Sequence, residues 1–206
     1  MTTTKNHHIV DEFKMEGLNI PFEVVLVKSV KEARDEKTGE VEKVIIPNFR
    51  GLLKCVAITR LCHPRKLIGD EIKFVRKAFK MPAKRLAEMI DVSPEHLSRC
   101  ESGSKLLSPS AEKCLRVSVF LEQFKALDNL DKLCEDNEGL IESLSKVRKL
   151  VQKIGDVIGD MKIEPAFDTS PLQFTFTTVS ESNPDLFEDD PNADWASNDA
   201  DQALAA

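Results

Sequence analysis

The chain has 206 residues, 41% of them hydrophobic and 31% charged, and a formal net charge of -6. That length suits one or two domains, and that hydrophobic share can bury a real core. No run approaches about 18 consecutive apolar residues, and the N-terminal MTTTKNHHIVDE holds no apolar signal core, so neither a membrane span nor a secretory leader is expected and the protein is placed in the cytoplasm.

The net charge hides two unlike stretches. Residues 64–117 hold twelve Lys/Arg against seven Asp/Glu, a balance of +5, whereas residues 163–206 hold ten Asp/Glu and no Lys or Arg. A basic domain and an acidic tail follow from that split. The five cysteines are irregularly spaced and read as free thiols. The chain has no G-x-S-x-G, no H-E-x-x-H, no GxGxxG and no phosphate-binding glycine loop. No enzymatic activity and no cofactor are expected.

Residues 1–7 read as frayed, which also discounts His7 and His8 as metal ligands. From there to residue 48 the pattern is that of strands. Residues 22–30 and 41–46 are rich in β-branched residues, a polar turn with Gly39 lies between them, and residues 13–20 offer a third strand. This predicts a small N-terminal antiparallel element over residues 1–48. A helix follows over 49–62, with Leu52, Leu53, Val56, Ala57 and Leu61 on one face. Cys55 and Cys62 stand one heptad apart on it. That spacing suits core packing better than metal binding, and no C-x-x-C occurs anywhere, so no metal site is expected.

Residues 69–103 read as three short helices. The first, over 70–80, places Ile72, Val75 and Phe79 on one face; the second, over 83–90, does so with Leu86, Ala87 and Ile90. Asp91, Val92 and Ser93 form a tight turn. Ser93 is a good N-cap with Pro94 at the first helical position, and the third helix holds Leu97 and Cys100 inward until Gly103 stops it. Two helices joined by a three-residue turn form a helix-turn-helix, whose second helix enters the DNA major groove. The residues that would meet base edges are Pro94, Glu95, His96, Ser98 and Arg99, and the cations placed for phosphates are Lys84, Arg85 and Lys105.

The set Ile72, Arg76, Leu86, Ala87, Ile90, Val92, Ser93, Leu97, Ser98, Arg99, Glu101 and Gly103 resembles the lambda-repressor-like, or Xre, class of helix-turn-helix domains. With LIGDEIKFVRK before the motif and SPSAEKCLR after it, the stretch is similar to the MqsA (YgiT-type) antitoxin regulators, without their paired C-x-x-C zinc module. The resemblance covers residues 67–117 well and residues 7–54 only loosely. It implies a structural salt bridge between Arg76 and Glu101. Pro82 and Ala83 stand where the family has Ser or Thr followed by Gln, and Cys100 replaces Trp or Leu.

Beyond Gly103 a further helix over 110–126 carries apolar groups on more than one side and closes the DNA-binding domain, 49–126. A helical region follows over 127–162. Its second half shows Ile141, Leu144, Val147, Val151, Ile154, Ile158 and Met161 at spacings close to a heptad. Such a seam wants a partner helix, and a second subunit is the expected one, through Ile141, Leu144, Val151, Ile154 and Ile158. Residues 163–206 read as an acidic, largely disordered tail in which residues 173–179 alternate like a strand able to join a sheet edge. The fold expected is mainly α with a small β element, an α+β chain built on a lambda-repressor-like bundle. The function expected is a sequence-specific DNA-binding transcriptional regulator, a homodimeric repressor on an operator. The alternative is an antitoxin of a type II toxin–antitoxin pair, which neutralises a toxin by binding it and autoregulates its operon.

Overall fold

The computed structural model describes residues 7–16, 19–35, 38–125, 138–165, 170–179 and 194–199. The chain is α+β and divides into two compact units, residues 1–59 with 169–205 and residues 60–168.

The first unit is built on a mixed sheet of five strands: β1 (His7–Met15), β2 (Glu23–Arg34), β3 (Val41–Ile45), β4 (Gln173–Thr178) and β5 (Trp195–Ser197). β2 is its axis. One edge of β2 pairs antiparallel with β1 along nearly its whole length, with the register jumping between Val10 and Glu12 where Lys28 takes φ +50. The other edge is shared end to end. β3 pairs antiparallel with Lys31 to Arg34, and β4 pairs parallel with Glu23 to Leu26. β5 extends the sheet beyond β4.

Two expectations are corrected here. The sheet is mixed and not confined to the N-terminal 48 residues, and the segment expected as an acidic tail supplies two of its strands. The reason lies in β2, whose N-terminal half is buried at Val24, Val25 and Leu26. Its buried N–H and C=O groups need partners on both sides, and β3 reaches only the far half. β4 alternates as a half-buried strand should, with Phe174 and Phe176 buried and the threonines between them partly open. Phe174 meets Phe22 edge to face, ring centroids 5.4 Å apart. Trp195 donates its indole N–H to the Pro47 carbonyl at 3.1 Å.

Helix α1 (Phe49–Cys62) begins after Asn48, whose side-chain oxygen accepts from Gly51 N at 3.0 Å as an N-cap. The chain passes into the second unit at Arg60. That unit holds α2 (Gly69–Ala78), α3 (Ala83–Met89), α4 (Pro94–Glu101), α5 (Pro109–Phe124) and α6 (Glu138–Asp160). Ser108 caps α5 with Pro109 at its first position, a second Ser-Pro start like that of α4. Ile72, Val75, Leu86, Leu97, Leu115, Val119 and Phe120 form the core. The last turn of α6 packs on α5: Ile158 is fully buried, and Lys113 donates to the Gly159 carbonyl at 3.1 Å. Residue 164 then makes a parallel bridge with Arg65. Among the described residues no helix is long and apolar enough to cross a membrane.

A buried ionic cluster, unforeseen in the sequence, lies in this unit. Arg60 pairs with Glu71 at 2.7 Å, and Arg116 with Glu112 at 2.8 Å, all four essentially without exposure. Lys66 adds a third contact, to Glu112 at 3.2 Å.

Candidate nucleic-acid interface

Helices α3 and α4 are joined by a turn whose geometry follows from four residues. Asp91 takes φ +53, a left-handed conformation that Asp tolerates better than most side chains. This lets Val92 N reach back to the Ala87 carbonyl at 3.0 Å and close the end of α3. Ser93 then opens α4, its hydroxyl accepting from His96 N at 3.1 Å, and Pro94 supplies the preset φ of the first helical residue. Leu86, Ala87, Leu97 and Cys100 are fully buried between the two helices and the rest of the unit.

With those positions inward, Pro94, Glu95, Ser98 and Arg99 lie exposed on the outer side of α4. His96 lies at its flank, half-buried, and is not part of that open face. The Glu95 carboxyl is held below the usual carboxylate range by the backbone amide at the start of the helix and by the Ser93 hydroxyl, with Arg99 adding attraction. Lys84 is exposed at the start of α3. Arg85, also exposed, leans toward α5, where its guanidinium is 3.6 Å from Glu122, itself paired with Lys125. Lys105 is exposed just past α4, its amide bonded to the Arg99 carbonyl at 3.1 Å.

Behind this face, Arg76 on α2 and Glu101 at the end of α4 form a two-pronged ion pair, at 2.6 and 2.8 Å. The Arg76 fork also reaches the Met81 carbonyl at 3.2 Å. The planar guanidinium matches both carboxylate oxygens, and the Glu101 hydrogen bonds hold Arg76 more firmly charged than usual. The pair ties α4 to α2.

The residues expected to form a dimer seam are split by their surroundings. Ile158 is fully buried within its own chain, while Leu144, Val151 and Ile154 are partly covered. The side chain of Ile141 lies outside the described residues, as does the expected helix over 127–137. The most open apolar groups of α6 are Val147 and Leu150, the latter 57% exposed. Leu121 of α5, beside Gly155, is open as well.

Cys55, Cys62, Cys100 and Cys114 carry free thiols. Burial pushes the Cys55 and Cys62 thiols up to about 11, so neither is a ready thiolate. Among the described residues no group of three or more His, Cys, Asp or Glu is gathered as a metal ion would need. No family model, curated protein or solved structure matches the chain.

Proposed function

We propose that this protein is a sequence-specific DNA-binding transcriptional regulator, in which α3 and α4 form a helix-turn-helix of the lambda-repressor-like kind. The observation that carries this reading is the outer side of α4. It starts at a solvated Ser-Pro cap, presents Glu95, Ser98 and Arg99 to solvent, and is clamped from behind by the Arg76–Glu101 pair. A short helix held rigidly with a polar open face is what entering a major groove requires. The stretch of residues 64–117 around it carries the balance of +5 that phosphates demand.

In this reading Arg99 donates its fork to guanine, and Glu95 accepts from the amino group of cytosine. Lys84 and Lys105 meet phosphates, and Arg85 joins them by exchanging Glu122 for the backbone, a loose surface pair that costs little to break. Two copies joined through the open side of α6, at Val147 and Leu150, would present two reading helices to half-sites about 34 Å apart, one turn of DNA. Selection of bound duplexes from a random pool, at stated salt, tests the function. A recurring motif with two related halves is the expected result. A bound pool without any common motif would reject it.

The antitoxin reading remains the second. It is favoured by the first unit, a sheet distinct from the DNA-binding unit, in which β1 has β2 as its neighbour on one edge and no strand on the other among the described residues. An open edge of that kind can take a strand from a partner. Co-expression with the product of an adjacent small reading frame, followed by a toxicity assay, separates the two.

A further inference from the structure

The irregular segment from the end of α1 to the start of α2 is held by buried charge and by the backbone bridge to residue 164, where Lys66 N donates to the Glu164 carbonyl at 3.0 Å and Glu164 N to that of Pro64 at 3.1 Å. Arg116 donates to the carbonyls of Leu61 and His63 at 2.7 Å each and of Arg65 at 2.8 Å. Arg60 donates to the Lys66 carbonyl at 2.9 Å. Glu112 accepts from Leu67 N at 2.8 Å, and Glu71 from Ile68 N at 2.9 Å. Lys66 reaches onward to the Leu107 carbonyl at 2.8 Å, in the loop between α4 and α5. Each side chain thus serves both as an ion-pair partner and as a cap for backbone that no helix or strand satisfies.

The segment delivers Gly69, the first residue of α2, against the far end of α4. A Cβ at Gly69 would stand 2.6 Å from the Cys100 carbonyl oxygen, 2.8 Å from that of Glu101 and 2.7 Å from Gly103 N. These are backbone atoms with no flexible side chain to give way, so any larger residue must displace either α2 or α4.

We infer that the pose of α4 is set from behind by a seat at Gly69, held in place by the buried pairs Arg60–Glu71 and Glu112–Arg116, and that Gly69 is therefore a positioning residue for base specificity although it faces no DNA. The inference rests on the DNA-binding reading. A site whose supports let it move by an ångström keeps its contacts in name and loses discrimination. The Arg76–Glu101 pair fixes the same end of α4 from the side, and Gly69 sets how close that end approaches.

The test uses the full chain, the best duplex from the random-pool selection and a scrambled duplex. In Gly69→Ala the ratio of the two affinities falls about tenfold, within the worth of one base pair. The slope of log affinity against log salt keeps its wild-type value, since no phosphate-facing cation is removed. Helix propensity alone predicts no fall, because Ala is the better helix former and the ratio would not change. A wild-type ratio in folded Gly69→Ala overturns the seat. Wild-type protein that binds all duplexes equally overturns the DNA reading instead.

Should Gly69→Ala not fold, Lys66→Met decides. It cuts the two ties that Lys66 makes, to the Leu107 carbonyl and to Glu112, and leaves Glu112 with Arg116 and the Leu67 amide. The seat predicts a smaller fall in the ratio, and faster hydrogen exchange at the Leu97 to Glu101 amides with α5 unchanged. Wild-type ratio and exchange in that variant reject it, and the exchange arm reads the seat whether or not DNA is the partner.

Discussion

His63 shows how a single side chain records the charge around it. Burial, and then the nearby Arg60, Arg65 and Arg116, push its pKa down to about 4. Its Nδ1 accepts from Arg65 N at 3.1 Å, which a neutral ring can do. The folded state therefore resists protonating a ring that the unfolded chain protonates near 6.5. Stability is unaffected by this ring above that pH, falls as pH drops from about 6.5 to about 4, and falls no further below. His63→Asn should flatten that part of the curve of denaturation midpoint against pH; an unchanged slope would show that other groups set it. The outer face of α4 offers the second residue-scale prediction. Arg99→Ala should cost about 1–3 kcal/mol on the best duplex and flatten preference at one base pair, whereas Lys84→Ala should weaken all duplexes alike and lower the salt slope by about one. Equal losses for Arg99→Ala on cognate and scrambled DNA would mean the helix docks otherwise. Both exposed residues were legible in the sequence, because inward Leu97 and Cys100 turn Arg99 outward on α4 and inward Leu86 and Ala87 do the same for Lys84 on α3. Arg60 and Arg116 were not. A charged residue in an amphipathic pattern reads as surface, and only the fold reveals that it caps a buried loop.

At the level of elements, α6 separates two jobs that its sequence runs together. The spacing of its apolar residues showed that the helix needs a neighbour, and spacing is blind to whether that neighbour is α5 or another copy. Burial divides the helix: Ile158 of the seam belongs to the chain's own core, whereas Val147 of the seam and Leu150, which the seam did not include, stand open. Ile158→Ala should therefore cost about 2–5 kcal/mol through the cavity it leaves. Leu150→Lys should cost the folded protomer almost nothing and convert a dimer into a monomer, as read by sedimentation at micromolar concentration. If the mass does not respond to Leu150→Lys, the dimer is not made on this side of α6. The boundaries of α1 to α5 were legible to within two residues, because the Ser93–Pro94 start, the Gly103 stop and the apolar spacing are local signals that need no tertiary context; the Ser108 cap, which starts α5 one residue before the expected 110, was passed over as loop.

For the whole molecule, the strands after residue 170 are the part that local pattern reading placed least well. The alternation of residues 173–178 marked a strand, but its parallel partner lies about 150 residues earlier, and no local spacing encodes that. The surrounding acidic composition pointed to a tail, while Phe174 and Phe176 are core residues. Deleting residues 166–206 should then remove more than a solubilising segment. It uncovers the Glu23 to Leu26 edge of β2 and removes Phe174 and Phe176 from the core, so strand signal in far-UV circular dichroism should drop and light scattering should rise. A soluble truncated protein with an unchanged spectrum would contradict that account.

The same pairing imposes an order in time. β2 leaves the ribosome early, and the strand that completes it comes about 150 residues later, a delay on the order of ten seconds at about 5–20 residues per second. All of residues 60–168 are made in that interval. The unit that begins first is the last to be finished, and its long-range parallel closure is the slow kind. Until it happens, the apolar edge of β2 is open to any strand nearby, so the yield of folded protein should depend on how crowded the nascent chains are.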